Sequence, residues 1–297
     1  VGRPNVGKST LLNALLGTKV SIVSPKPQTT RTRIHGIVNL PHAQLVLVDT
    51  PGFCQDRGPL TRALRQVAGT AAADADMSLV VAEVRGDTAE LGEADREVLT
   101  AARRSPGQLI LALNKIDLLP RKETLLPWMA AYAREFELAS VVPISARTGD
   151  GLDELTEELI DRLPESPPLF PVDMHTDQAE RVLCAELIRE ALLMETQEEV
   201  PHSAAVTVEL FEDFRDDPRG ALVRIEARIY VERDSQKAIV IGRSGHQIKA
   251  IGQAARSRIE ELLDSKVYLR LTAHVDKQWT TNERALGRYG LMPEARP

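Results

Sequence analysis

Gly2-Arg3-Pro4-Asn5-Val6-Gly7-Lys8-Ser9, followed by Thr10-Leu11-Leu12-Asn13-Ala14-Leu15-Leu16, decides the fold of the chain that carries it. The first eight residues fit the pattern G-x-x-x-x-G-K-[ST], in which glycines let backbone N–H groups converge on phosphate oxygens. Lys8 is placed to reach the β- and γ-phosphates of a nucleotide, and the Ser9 hydroxyl to hold Mg²⁺. The apolar run that follows predicts a helix whose N-terminus adds its dipole to the same site. Gly2, Asn5, Val6, Gly7, Lys8, Ser9 and Thr10 are therefore candidate nucleotide contacts. Such a loop is carried on the C-terminal end of a strand, yet only Val1 precedes Gly2. The expectation is that this first strand is missing, so the absence of a targeting peptide cannot be judged.

Four short apolar runs lie downstream, each ending in a polar motif. Gln44–Val48 leads into Asp49-Thr50-Pro51-Gly52, Ser78–Ala82 forms the second run, Gln108–Leu113 leads into Asn114-Lys115-Ile116-Asp117, and Ser140–Ile144 leads into Ser145-Ala146. Runs of this kind read as buried strands of a mainly parallel sheet. Helical stretches at 93–104, 125–137 and 151–163 alternate with them, which predicts a doubly wound α/β domain with its ligands at the strand ends. Asp49 then binds Mg²⁺ through water, and the Gly52 N–H senses the γ-phosphate. The Asp117 carboxylate accepts from N1–H and the exocyclic amine of guanine, a donor pair adenine lacks. The Lys115 stem packs over the base, and the Ala146 N–H meets guanine O6. Between the first motif and Asp49, Gln28-Thr29-Thr30-Arg31 lies in a polar loop. Thr29 and Thr30 compete as the extra Mg²⁺ ligand of the GTP state, with Thr30 favoured. Phe53 follows Gly52 where many small GTPases carry a water-orienting glutamine. Asn5 either holds a monovalent cation such as K⁺ near the β–γ bridge, replacing an arginine finger, or simply tolerates the loop's backbone shape. Lys8, Asn5, Thr30 and Gly52 are the candidate catalytic residues.

The chain has 297 residues, enough for two ordinary domains. Its formal net charge is −6, but residues 231–297 hold 12 basic and 8 acidic residues against 25 and 35 in the remainder. A basic C-terminal part on an acidic body points to a polyanion partner there. Cys54 and Cys184 make no metal or redox spacing, which fits a reducing compartment. No apolar run is long enough to span a bilayer. Pro164 to Pro171 contains four prolines and reads as a semi-rigid spacer, giving a first domain at 1–163, a linker at 164–174 and a second domain at 175–297.

In that second domain, Ala238 to Gly252 looks like the core of a KH RNA-binding module. Gly242-Arg243-Ser244-Gly245 is its G-x-x-G loop between two helices, close to a nucleic-acid backbone, with Arg243 on phosphate. Ile241 and Ile248 floor the groove for single-stranded bases, and Lys249, Arg256 and Arg258 follow on the second helix. Trp279 either stacks on a base or plugs the end of the domain.

Together these motifs, with Glu283-Arg284-Ala285-Leu286 after Trp279, resemble the Era family of bacterial ribosome-assembly GTPases over essentially the whole chain. The resemblance implies a type II KH fold of α+β character and GTP-dependent binding to the 3′ end of 16S rRNA. It also implies assistance to the immature 30S subunit, and a cytoplasmic monomer with a peripheral contact at the cell inner membrane. A tRNA-modification GTPase shares Asn5 and an apolar residue at position 53, but needs a folate-binding and helical region for which this chain has no room. A purely regulatory GTPase would need no KH groove.

Overall fold

The computed structural model describes residues 1–26, 29–52, 58–73, 75–84, 91–104, 107–119, 121–196, 200–217 and 222–291. In chain order the helices and strands are α1 (Lys8–Leu16), β1 (Ile34–Asn39), β2 (Gln44–Asp49), α2 (Pro59–Ala73), β3 (Met77–Glu83), α3 (Glu93–Ala102), β4 (Gln108–Asn114), α4 (Leu125–Glu135), β5 (Ser140–Pro143) and α5 (Leu152–Ile160). They continue with α6 (Glu180–Glu195), β6 (Ala205–Asp213), β7 (Val223–Val231), α7 (Asp234–Ile241), α8 (His246–Leu263), β8 (Val267–Val275) and α9 (Glu283–Arg288). The chain divides into two units: Val1–Ser21, Thr30–Asp56 and Leu64–Asp177 form one, and Ile22–Thr29, Arg57–Ala63 and Gln178–Pro297 the other.

In the first unit β3, β4 and β5 pair in parallel, with β4 in the middle. A parallel strand flanked on both sides is covered on both faces, so Leu109 to Leu113 are all buried without alternation. β1 and β2 form an antiparallel hairpin, in register from Ile34 opposite Asp49 to Asn39 opposite Gln44. The sequence reading did not mark β1, whose glycine and histidine interrupt an otherwise apolar alternation. Val1 runs alongside β3: its backbone nitrogen donates to Leu79 O at 2.7 Å, and Val81 N–H donates to Val1 O at 2.8 Å. An apolar cleft separates β2 from β3, lined by Leu11, Leu15, Leu45, Leu47, Leu79 and Val81.

The proline-rich segment is fastened to the first unit. Gln44 Oε1 accepts from the N–H groups of Leu169 and Phe170 at 2.8 and 3.0 Å, and its amide donates to Phe170 O at 2.9 Å. Asn39 Nδ2 donates to Met174 O at 3.0 Å, and Ile37 N–H to His175 O at 2.9 Å. Prolines supply no N–H, so the few non-proline residues fasten the segment to β1 and β2. The first unit accordingly runs to Asp177 rather than ending at 163.

In the second unit the sheet order is β6-β7-β8, antiparallel then parallel, which leaves β8 at an edge. β7 alternates strictly, with Val223, Ile225, Ala227, Ile229 and Val231 all buried. α8 sets Ile251, Ala255, Ile259 and Leu263 at intervals of four, one stripe facing the same core. Trp279 closes the far end. It is fully buried, its Nε1–H donates to Ser203 O at 2.9 Å, and its ring meets Tyr289 edge-on at 5.3 Å. Of the two roles left open for this residue, the structure selects the plug: a ring with no exposed surface cannot stack on a base. Trp279→Ala should lower stability by about 3–5 kcal/mol, while Trp279→Phe should keep the fold and near-parental RNA affinity. Thermal unfolding and an RNA titration check both; weakened RNA binding by a fully folded Phe variant would return the ring to the interface.

Candidate functional site

The loop before α1 wraps its own lysine. Lys8 Nζ donates to Gly2 O at 3.1 Å and Arg3 O at 2.8 Å, which holds the ammonium under the arch. Gly7 has φ 101°, and a Cβ there would lie 2.3 Å from Asn114 Nδ2, so only glycine fits. Asn5 sits in the left-handed region at φ 62°, which asparagine tolerates better than most residues. That geometry fits the second of the two roles open to Asn5, tolerance of the loop's backbone shape.

Ser9, Thr30 and Asp49 come together. Ser9 Oγ donates to Asp49 Oδ2 at 2.7 Å, Thr30 Oγ1 to the same oxygen at 3.2 Å, and the two hydroxyls are 3.0 Å apart. Ser21, which the sequence reading missed, adds a third hydroxyl on Oδ2 at 2.8 Å and is itself fully buried. Asp49 Oδ1 is buried and has no hydrogen-bond partner among the described residues. Two hydroxyls and a carboxylate with an orphaned buried oxygen are hard oxygen donors, the set that Mg²⁺ takes. Of the competing threonines, Thr30 is the one at this cluster; Thr29 Oγ1 is turned to Lys26 O at 2.6 Å. Gly52 lies beside Lys8, since a Cβ on it would be 3.3 Å from Lys8 Nζ. Phe53 and Gln28 lie outside the described residues.

At the ends of β4 and β5 the second half of the site is built around Asn114. Its Nδ2 donates to Val6 O at 2.7 Å, and its Oδ1 accepts from Ala146 N–H at 2.9 Å. The expectation for Ala146 is corrected here: its N–H is taken by Asn114 rather than directed at a base oxygen. Asn114 is a bracket between the phosphate loop and the Ser145-Ala146 turn. Asp117 accepts from Ser145 Oγ at 2.7 Å and from Arg147 Nη2 at 2.6 Å. The Ser145 hydrogen bond, aided by Arg147, holds its carboxyl below the usual range, so it is a carboxylate at neutral pH. Lys115 Nζ donates to Asn5 O at 2.7 Å.

In the second unit Gly242 to Gly245 joins α7 to α8. Gly242 has φ 72°, and a Cβ there would lie 2.5 Å from the Gln247 Cβ. Ser244 takes φ 52° and ψ 27° at the exposed tip, a non-glycine residue held in the left-handed region. Arg243 and Lys249 are exposed beside it. A groove runs between α8 and the β8 edge, lined by Ile248, Lys249, Gly252, Gln253, Arg256, Tyr268 and Arg270 among others. Lys249, Arg256 and Arg270 give it positive charge, and Tyr268 is 53 % exposed at its rim. Tyr268, Arg270 and Gln253 were missed; the alternation of Tyr268 and Arg270 with Leu269 and Leu271 along β8 was the available signal. Two expectations are corrected. Ile241 is half-buried against the core and does not line the groove, whereas Ile248 does. Arg258 faces away from the groove and pairs with the buried carboxylate of Glu190 on α6.

The family model described as "50S ribosome-binding GTPase" matches residues 1–115, and the one described as "KH domain" matches residues 199–280. A curated protein named GTPase Era from Geobacter metallireducens is 46% identical over 98% of this chain and 95% of its own length. The chain belongs to the GTPase Era family. Another member, from Geotalea daltonii, is 45% identical over the same shares. Among solved structures, Aquifex aeolicus Era Y63A bound to GDP·AlF4⁻ is similar at 38% identity and a TM-score of 0.91, covering 98% of this chain and 97% of its own. A structure of Era with MgGDPNP and nucleotides 1506–1542 of 16S ribosomal RNA is similar to the same degree, with the same identity, TM-score and shares. The Era-family assignment therefore spans both units and both candidate sites.

Proposed function

We propose that this chain binds and hydrolyses GTP in its first unit and binds the 3′ end of 16S rRNA through the G-x-x-G loop and groove of its second, assisting maturation of the 30S subunit. The observation that carries the reading is the convergence of Ser9, Thr30 and Asp49 on one oxygen beside the Lys8 arch, in a chain that also holds a basic KH groove. Mg²⁺ bound to Ser9, Thr30 and Asp49 would neutralise charge on the β- and γ-phosphates. Lys8 would bind the same phosphates, the Gly52 N–H would meet the γ-phosphate, and Asp117 would select guanine. Thr30 would be the extra ligand of the GTP state, and so would distinguish GTP from GDP.

The experiment is a turnover assay with GTP and Mg²⁺ alongside a titration with a fragment of the 16S 3′ end. Parent protein should hydrolyse GTP and bind the fragment, and Asp49→Ala should abolish Mg²⁺-dependent turnover. Turnover by Asp49→Ala equal to the parent's would overturn the metal assignment.

A monovalent cation at Asn5 is a second, finer reading, supported by a side-chain carbonyl in the phosphate loop. Turnover should then rise when K⁺ replaces Na⁺ at constant ionic strength, and Asn5→Ala should remove the difference. Equal rates in both salts would leave Asn5 with its backbone role alone. The reading places the protein in the cytoplasm as a monomer, with a peripheral contact at the inner membrane. Among the described residues no helix is long and apolar enough to cross a membrane.

A further inference from the structure

Between the phosphate loop and the base-recognition segment lies a cluster of four charges that the roles above leave unused. Glu83 is the last residue of β3 and stands opposite Asn114 in the parallel ladder. It is 7% exposed. Lys115 Nζ donates to its carboxylate as well as to Asn5 O. On the other side, Arg3 Nη2 lies 3.9 Å from Glu83 Oε1, and Arg3 Nε donates to Asp95 Oδ1 at 2.6 Å. Asp95 is itself buried, in the first turn of α3. Two cations, one from the phosphate loop and one from the guanine motif, thus face two buried carboxylates, and Glu83 meets both cations.

Burying a carboxylate is costly, and an apolar residue in its place is often no less stable. What the charge supplies here is position. Lys115 sits in the left-handed region at φ 69°, with a long flexible stem that costs much entropy to hold still. Glu83 fixes its ammonium over the Asn5 carbonyl, while Asn114, next in the chain, grips Val6 O.

We propose that Glu83 is a positioning residue for nucleotide retention: through Lys115 and Arg3 it ties the base-recognition segment to the phosphate cradle, so that base and phosphates are released together. The proposal rests on the guanine-nucleotide reading above. Without the Glu83 charge, Lys115 keeps only neutral acceptors, the two segments part more easily, and bound nucleotide leaves faster. Asp117 is untouched, so the choice of base is unchanged.

The test measures release of fluorescent GDP from full-length parent, Glu83→Gln and Glu83→Asp in Mg²⁺. Glu83→Gln should speed release by up to about tenfold, the effect of exchanging a charged acceptor for a neutral one. Glu83→Asp keeps the charge on a shorter stem and should fall between parent and Gln. The preference of Glu83→Gln for GDP over XDP should match the parent's. Release from folded Glu83→Gln within twofold of the parent, or equal acceleration by Asp and Gln together with equally lowered melting of the nucleotide-free proteins, overturns the proposal. Should Glu83→Gln not fold, Glu83→Asp decides alone, and parental release by it overturns the idea. If the parent itself bound no GDP, the nucleotide reading would fall first and this proposal with it.

Discussion

Asp117→Asn should shift the protein's preference from guanine towards xanthine nucleotides. The carboxylate would accept two hydrogen bonds from guanine, each worth about 1.5–3 kcal/mol when the acceptor is charged. An asparagine keeps one acceptor and sets an N–H₂ donor against the guanine amine, so GTP affinity should fall by about a hundredfold or more. Xanthine carries an oxygen at that position and accepts from the new amide. The surroundings tolerate the change. Ser145 Oγ can still donate to the remaining oxygen, and Arg147, 71% exposed, is resolvated at little cost. Asp117 has its pKa depressed by Ser145 first and Arg147 next. Its contribution is therefore complete above the ordinary carboxylate range and is lost only as pH falls through the lowered value. Competition between GTP and XTP on parent and variant checks this; an unchanged preference would place guanine recognition elsewhere.

Replacing Arg243 and Ser244 together by Asp should weaken binding of single-stranded rRNA by on the order of 100-fold, because a phosphate contact is lost and two like charges face the backbone. Both residues are exposed at the loop tip, so the fold should survive. Ser244 is the more demanding position, since its left-handed backbone tolerates Asp but few larger residues. GTP binding should be unaffected. Parent affinity should fall with added salt, while preference for the cognate over a scrambled fragment persists, since bases in the groove are read by hydrogen bonds and stacking. A polarisation titration measures all of this, and parental RNA affinity in the double variant would remove the loop from the interface.

The phosphate loop, Asp49 and Asn114 through Asp117 were legible because each chemistry needs its residues close in sequence and at a strand's end. The same holds for the glycines at 242 and 245. Partners brought in from a distance were not. Ser21 reaches Asp49 through a turn that no local pattern records. Ala146 was given to the base because the sequence shows its place after a strand but not that Asn114, 32 residues earlier, claims its N–H. Arg258 and Arg256 are two residues apart on one helix, and only the packing of α6 shows that one faces Glu190 while the other faces the groove. Trp279 was ambiguous for a related reason: an indole suits a buried corner and a base equally well, and burial decides between them.

The corner that Trp279 fills has a practical corollary for anyone dissecting the molecule. The recognisable KH segment ends at 280, yet Ala285, Leu286 and Leu291 beyond it are buried, and Asn282 caps α9 through Arg284 and Ala285 N–H. An RNA-binding fragment cut at the end of its motif would expose that seam and expose Trp279 to water. The smallest autonomous piece is therefore longer than the signature that announces it, and must keep the chain through Leu291.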